Sequence, residues 1–299
     1  MSILIDQNTI CLIQGITGKE GSRVATDMQK YGTSVVAGVT PGKGGQEVEG
    51  VSVYNSVKEA LEKHPEINTT GVYVPPFAVL GAVTEALENN IKTIHIIAEH
   101  VPIKDTAQVI SLARKKEARV IGPSSIGLIS PGKAKVGSIG GADADRAFGP
   151  GKIGVISKSG GMASEVSWLL KKAGYGQSTV VGIGGDLLIG STFADLLPLF
   201  KEDSETEAVV IVGEFGGTYE EDAADYIKNN SFSKPVVAFI SGLFAESLPQ
   251  GIALGHAGAI IEGGKGTRAG KVKALEEAGV SIANIPTEIP ELLKKKVAS

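Results

Sequence analysis

Cysteine is nearly missing from this 299-residue chain. The single one, Cys11, lies in the apolar run Ile10-Cys11-Leu12-Ile13. An intrachain disulfide is therefore excluded, a Cys/His metal cluster is not expected, and a small buried core residue is. Long apolar runs are missing too. The longest, around residues 72–83, is interrupted by Pro75-Pro76 and is too short to span a bilayer, so no membrane partner is expected. The N-terminus has no basic segment leading into a long apolar one, so no secretory signal is expected. The location expected is the cytoplasm, or the mitochondrial matrix in a eukaryote. A basic excess is missing as well: the net charge is −4, which excludes a chain-wide field for nucleic acid. Aromatic residues are sparse at 5%, whereas glycine, at 40 residues, is abundant without low complexity. That balance points to many tight turns and close backbone approaches to a ligand.

Short β-branched runs alternate with helical periodicity along the whole chain. Strands are expected at 10–14, 34–38, 71–74, 93–97 and 119–121, and again at 153–157, 179–183, 208–213 and 236–240. Amphipathic segments at 21–31, 79–89, 106–116, 162–173, 220–229 and 270–278 lie between them. This alternation predicts an α/β protein with parallel sheets covered by helices on both faces. Residues 130–152, rich in Gly, Pro, Ala and Asp, break the rhythm and read as a linker. The expected division is a Rossmann-like domain over 1–129, a linker over 130–151, and a flavodoxin-like domain over 152–299.

The first strand runs into Gly15-Ile16-Thr17-Gly18-Lys19-Glu20-Gly21, a turn whose N–H groups would face a diphosphate at a helix start. Its spacing departs from G-x-G-x-x-G. An NAD site also needs a carboxylate at the end of the second strand, and none is present. That strand runs instead into Thr40-Pro41-Gly42-Lys43-Gly44-Gly45, where Lys43 either reaches a phosphate or is simply solvated. A phosphorylated ligand other than NAD fits better.

The second half holds one histidine unlike the other three. His64 precedes Pro65, His95 lies within a strand, and His100 lies just beyond it. His256 sits in Gly255-His256-Ala257-Gly258-Ala259, ahead of Gly263-Gly264-Lys265-Gly266-Thr267, where small neighbours leave the ring open to a reacting partner. A loop histidine without chemistry has the same composition. Two further turns favour chemistry. Ser157-Lys158-Ser159-Gly160-Gly161 opens a helix and forms an anion-ready end. Glu214, in Gly213-Glu214-Phe215-Gly216-Gly217, ends another strand and could orient an imidazole; Asp186 in Gly184-Gly185-Asp186 is a second candidate, or a turn residue. No G-x-x-x-x-G-K-[ST] pattern occurs, so a phosphorylated histidine here implies that a partner supplies the nucleotide.

Together, Thr40-Pro41-Gly42-Lys43-Gly44-Gly45, Gly182-Ile183-Gly184-Gly185-Asp186 and Gly255-His256-Ala257-Gly258-Ala259 resemble the α subunit of succinyl-CoA synthetase and the matching segment of ATP-citrate lyase, over nearly the whole chain. The resemblance implies CoA as a substrate along Gly15, Thr17, Gly18, Lys19, Glu20, Lys43, Ile97, Ala98 and Glu99. It implies a phosphorylated His256 with Glu214 as its partner, and phosphate held at Ser159, Gly160 and Gly161. A larger β-type ATP-grasp subunit would carry ATP or GTP and Mg²⁺, in a hetero-dimer or hetero-tetramer. The implied reaction joins an acid to CoA through phosphohistidine and an acyl phosphate.

The chain also departs from the succinate pattern. Succinyl-CoA synthetases read S-R-S-G-T-L-T-Y-E where this chain has Ser157-Lys158-Ser159-Gly160-Gly161-Met162-Ala163-Ser164-Glu165, and P-N-C-P-G where it has Pro123-Ser124-Ser125-Ile126-Gly127. Both changes look like the citrate-using branch, and the smaller Ser164 leaves room for a tricarboxylate. Gly263-Gly264-Lys265-Gly266-Thr267 looks more succinate-like. Succinate and citrate both stand as the acid, with Ser124, Ser125 and Ser164 as candidate contacts. The competing readings are an NAD-dependent oxidoreductase, which the missing strand-end carboxylate disfavours, and a non-catalytic CoA-binding regulatory protein, which has no use for His256.

Overall fold

The structure, a computed structural model, describes residues 2–243 and 266–297. The first half contains β1 (Ile10–Gln14), α1 (Lys19–Tyr31), β2 (Ser34–Val39), β3 (Glu47–Val48), β4 (Val51–Tyr54), α2 (Val57–Lys63), β5 (Thr69–Val72), α3 (Val79–Glu88), β6 (Thr93–Ile96), α4 (Ile103–Lys115) and β7 (Arg119–Ile121). Its strands are apolar on both faces because helices cover both sides. They form one sheet in the order β3-β4-β2-β1-β5-β6-β7, parallel except for β3, which turns back on β4. Gln14 at the end of β1 lies between Val39 and Val72. The strand order reverses there, and an open α/β sheet leaves its ligand crevice at such a point.

The second half contains β8 (Gly127–Ser130), β9 (Ala134–Gly137), β10 (Pro150–Ser157), α5 (Gly160–Lys172), β11 (Gln177–Gly182), α6 (Phe193–Glu202), β12 (Ala208–Glu214), α7 (Tyr219–Asn229), β13 (Val236–Ser241), α8 (Arg268–Glu277), β14 (Ser281–Ala283) and α9 (Ile289–Val297). Its sheet has the order β14-β13-β12-β10-β11-β8-β9. The five strands from β14 to β11 are parallel, and β8 and β9 form an antiparallel edge hairpin. Among the described residues, no helix is long and apolar enough to cross a membrane.

The segment read as a linker is partly sheet. The end of β8, all of β9 and the start of β10 fall within residues 130–152. The reason is local. Every residue of β8 and β9 is buried, so no polar alternation shows, and the one charge among them is tucked inside: the Lys135 ammonium donates to the Gly141 carbonyl. This hairpin joins the two sheets. Thr33 Oγ1 donates to the Lys135 carbonyl at 2.8 Å and accepts its N–H at 2.9 Å, and Ser130 Oγ donates to the Ile5 carbonyl at 3.0 Å. Val24 and Met28 of α1 share one apolar core with Val136 of β9 and Ile156 of β10. Each such fully buried side chain contributes about 1.5–3 kcal/mol. Helix α6 also escapes the periodicity reading, because Pro198 lies inside it. A capping box between Thr192 and Asp195, and the buried face of Phe193, Leu196, Leu197 and Phe200, hold it nonetheless.

His95 of β6 is a core histidine. Its Nε2–H donates to the Ser125 carbonyl at 2.9 Å, and burial pushes its pKa down to about 4. An unfolded histidine takes up a proton as pH falls below about 6.5, whereas the folded one does not until near its lowered pKa. Stability present above pH ~6.5 is therefore lost progressively down to pH ~4, by about 2 kcal/mol between pH 7 and pH 5. Urea titrations at those two pH values check this. His95→Gln, which keeps an N–H donor and does not titrate, is expected to lose about 2 kcal/mol less than the wild type over the same interval. Equal losses in the two proteins contradict the assignment.

Candidate active site

The β1–α1 turn is built for close approach. Gly15 adopts φ +82°, and a Cβ placed on it would lie 2.4 Å from the Tyr73 carbonyl oxygen, so only glycine fits between β1 and β5. The Gly18 N–H closes the turn on the Gly15 carbonyl at 3.0 Å. Gly18 is also the N-cap of α1 and brings no side chain to the helix's first N–H groups. Those groups are left without a side-chain cap beside the exposed Lys19, which suits a diphosphate. Thr17 Oγ1 bonds Thr40 Oγ1 at 3.2 Å, tying this turn to the loop after β2. Glu20 is drawn to Arg23 at 2.7 Å, which holds its carboxyl below the usual range.

Lys43 is exposed in the β2–β3 loop. Sequence reasoning missed the residue that shapes this loop. Asn55 Oδ1 accepts the N–H groups of both Gly42 and Gly44 at 3.0 Å, and Glu59 takes the N–H of Asn55 at 2.9 Å. An Asn beyond a strand, followed by the Ser56 cap of α2, was the available signal.

Ile97, Ala98 and Glu99 follow β6 at the same sheet edge, with Ile97 and Ala98 half-buried and Glu99 exposed. The loop after β7 stacks on them: the Ser124 N–H donates to the Ala98 carbonyl at 2.8 Å. Ser124 is half-buried with φ +57°. Ser125 is buried and bridges the two sheets: its N–H donates to the Ile96 carbonyl of β6 at 3.3 Å, while its Oγ donates to the Gly182 carbonyl at 2.5 Å and accepts the Gly127 N–H at 2.9 Å. Asp186, the second candidate orienter, is turned toward the first half. It lines a cavity of about 250 Å³ with His100, Val101, Ile103 and Thr106, and burial raises its pKa.

In the second sheet, the parallel strands bring Ser157, Gly182, Glu214 and Ser241 to one edge. Ser159 caps α5 by accepting the Met162 N–H at 3.4 Å; the helix opens with Gly160 and the exposed Gly161. Ser164 lies one turn further along, half-buried on the same face as Gly160 and Gly161. The N–H groups of that first turn leave an anion-ready end.

Glu214 does not stand alone beside this helix. Lys158 Nζ lies 3.1 Å from Glu214 Oε1 and 3.9 Å from Glu220 Oε1. Glu220, at the start of α7, accepts the Glu214 backbone N–H at 3.0 Å and pairs through its other oxygen with Lys271 of α8. Lys271 also reaches Glu221 at 3.2 Å. Lys158, Glu220 and Lys271 are buried. Sequence reasoning quoted Lys158 only as part of a turn and passed over Glu220 and Lys271. The signal was a lysine directly after an apolar strand, where burial demands a counter-ion.

His256 lies outside the described residues, but both ends of its segment lie within them. Before it, Ser241 at the end of β13 is in register with Glu214, and its Oγ donates to the Gly213 carbonyl at 3.2 Å. After it, the Gly266 carbonyl accepts the Gly216 N–H at 2.7 Å, and Thr267 caps α8. The described residues on either side of 244–265, Ser241 and Gly266, therefore both bond to the stretch Gly213–Gly216 around Glu214.

Residues 6–100 match the CoA binding domain family, and residues 156–281 match the CoA-ligase family. The chain is 48% identical over 298 residues to the alpha subunit of the ADP-forming succinate–CoA ligase of Aquifex aeolicus, covering 99% of this chain and 94% of that one. It is 46% identical over 295 residues to subunit SqwL of the ADP-forming sulfoacetate–CoA ligase of an Acholeplasma species, covering 99% and 98%. Among solved structures it resembles the ATP citrate lyase of Methanothrix soehngenii in complex with citrate and coenzyme A, at 25% identity and a TM-score of 0.91. That likeness covers 99% of this chain and 50% of the lyase chain, so the protein spans half the lyase's length. The full-length matches carry the assignment and displace the oxidoreductase reading: the chain belongs to the family of alpha-type subunits of ADP-forming acid–CoA ligases.

Proposed function

We infer that this chain is the subunit that carries the phosphoryl group, on His256, and that a β-type ATP-grasp partner holds ATP or GTP with Mg²⁺. The observation that supports the reading is that the described residues flanking 244–265, Ser241 and Gly266, both bond to the stretch around Glu214, at the same sheet edge as the start of α5. Glu214 orients the ring, and Ser159, Gly160 and Gly161 receive the phosphoryl group. CoA lies along Gly15, Thr17, Gly18, Lys19, Glu20, Lys43, Ile97, Ala98 and Glu99. The uncapped N–H groups of α1 and the exposed Lys43 fit its phosphates.

The reaction runs in three displacements. His256 takes the terminal phosphoryl group of the nucleotide, the acid takes it from His256, and the CoA thiol displaces phosphate from the acyl phosphate. Ser164 and Ser124 lie toward the acid, and Ser125, buried with its hydroxyl bonded to Gly182 and Gly127, supports Ser124 from behind instead of meeting the acid. The acid is a small di- or tricarboxylate, with citrate favoured by the small Ser164 and succinate by the resemblance around Lys265.

The test uses the complex copurified with its partner, supplied with nucleotide, CoA, and succinate, citrate or sulfoacetate in turn. One acid is expected to give the CoA thioester with a kcat/KM at least about 100-fold above the others. Phosphate release without a thioester from any of them would overturn the ligase reading for these acids.

A further inference from the structure

The charged side chains behind Glu214 form a continuous set that is buried except at Glu221. Lys271 pairs with Glu220 and Glu221, Glu220 approaches Lys158, and Lys158 pairs with Glu214. Lys158 is 3% exposed, and Glu220 and Lys271 are fully buried. Burying charges costs several kcal/mol each unless the geometry compensates, and a well-packed apolar set would serve stability as well. Glu220 also fixes the backbone of Glu214 through its N–H, while Lys158 holds the Glu214 carboxylate from the side of α5.

We propose that Lys158 and Glu220 are positioning residues for phosphoryl transfer: they lock Glu214 in place and set the charge it presents to the imidazole. The proposal rests on the reading of His256 and Glu214 given above. In the first displacement, a ring nitrogen of His256 uses its lone pair to form the N–P bond. The bond between the γ-phosphorus and its bridging oxygen breaks, and the nucleoside diphosphate held by the partner leaves with that electron pair. The proton on the other ring nitrogen stays there, against Glu214, and the ring gains positive charge. The Glu214 carboxylate, fixed through its backbone by Glu220 and through its side chain by Lys158, offsets that gain. A Glu214 free to swing, or left without its ammonium neighbour, would present the wrong geometry or the wrong charge.

The test is rapid-quench phosphorylation of the whole complex by ATP or GTP, with CoA affinity and thermal midpoint measured on the same samples. Lys158→Met and Glu220→Gln are each expected to slow phosphoryl uptake by about 10–100-fold. CoA affinity, which is set in the other domain, is expected to stay unchanged. Lys158→Arg, which restores the charge, is expected to recover most of the rate. A merely structural role would not separate uptake from CoA affinity in this way. Where Lys158→Met does not assemble, Glu220→Gln, which removes charge and no bulk, carries the test. Wild-type uptake in either neutral variant overturns the proposal and leaves the phosphohistidine reading intact. Absence of phosphate from His256 in the wild type overturns that reading and the proposal with it.

Discussion

His256→Ala is expected to abolish phosphoryl uptake and to lower turnover of the assembled ligase by at least about 10,000-fold, while CoA affinity is expected to stay at the wild-type level. The size follows from what is removed. A nucleophile that forms the covalent intermediate has no substitute in the site, and deletions of that kind cost on the order of 10⁴–10⁶ in rate. Direct attack of the acid on the nucleotide is the alternative route, and it loses the relay that brings two distant substrates together. CoA is untouched because its proposed contacts begin at the Gly15 turn and end at Glu99, all on the turns, loops and helix start that follow strands of the first sheet. Single-turnover assays of the complex, with and without CoA, measure both quantities. A variant that still takes up phosphate at the wild-type rate would remove His256 from the chemistry.

Gly15→Ala has the second-largest effect. At φ +82° a side chain is strained, and its Cβ would lie 2.4 Å from a carbonyl oxygen of the neighbouring strand. Strain and overpacking together cost about 2–5 kcal/mol of stability. The turn must open to relieve the clash, which misaligns the N–H groups at the start of α1. Two charge-assisted hydrogen bonds lost or weakened lower CoA affinity by about 100-fold. Gly32→Ala at the other end of α1 is the control. Its φ is +100°, but nothing lies within 4 Å of the added Cβ. It is expected to cost about 1–2 kcal/mol of stability and no CoA affinity. Calorimetric CoA titration and urea unfolding of the two variants separate strain from clash, and wild-type CoA affinity in Gly15→Ala would take the turn out of the binding site.

Much of this architecture is legible in the residues because its determinants are local. An apolar strand followed by Gly15-Ile16-Thr17-Gly18 states a strand, a turn and a helix start in one stretch. The missing carboxylate after β2 separates the site from an NAD site with equal economy, and a later stretch of the same kind, Ser157 to Gly161, marks the start of α5. The edge hairpin does not declare itself. Lys135 and Ser130 put polar residues into fully buried strands, and their partners, Gly141, Ile5 and Thr179, lie on other elements. Strands β3 and β4 are too short to show a period, and Pro198 disguises α6.

The site divides in the same way. Residues that meet a ligand through backbone N–H groups reveal themselves by glycine and by a cap such as Ser159. Residues that hold those groups in place do not. Lys158, Glu214, Glu220 and Lys271 come from the turn after β10, from β12, from α7 and from α8, and only the sheet order brings them into one set. Asn55 is likewise joined to the Lys43 loop through the β2–β4 pairing. Positioning is a property of the fold, so it becomes visible only once the strands are placed.

The central claim is tested most directly by mapping phosphate on the intact complex. The protein and its partner are incubated with nucleotide in the absence of acid and CoA, kept above acidic pH, digested, and read by mass spectrometry. The account requires an acid-labile phosphoryl group on the ring of His256, discharged when acid and CoA are added. Phosphate on another residue, or none on His256 while the complex still forms the thioester, contradicts it.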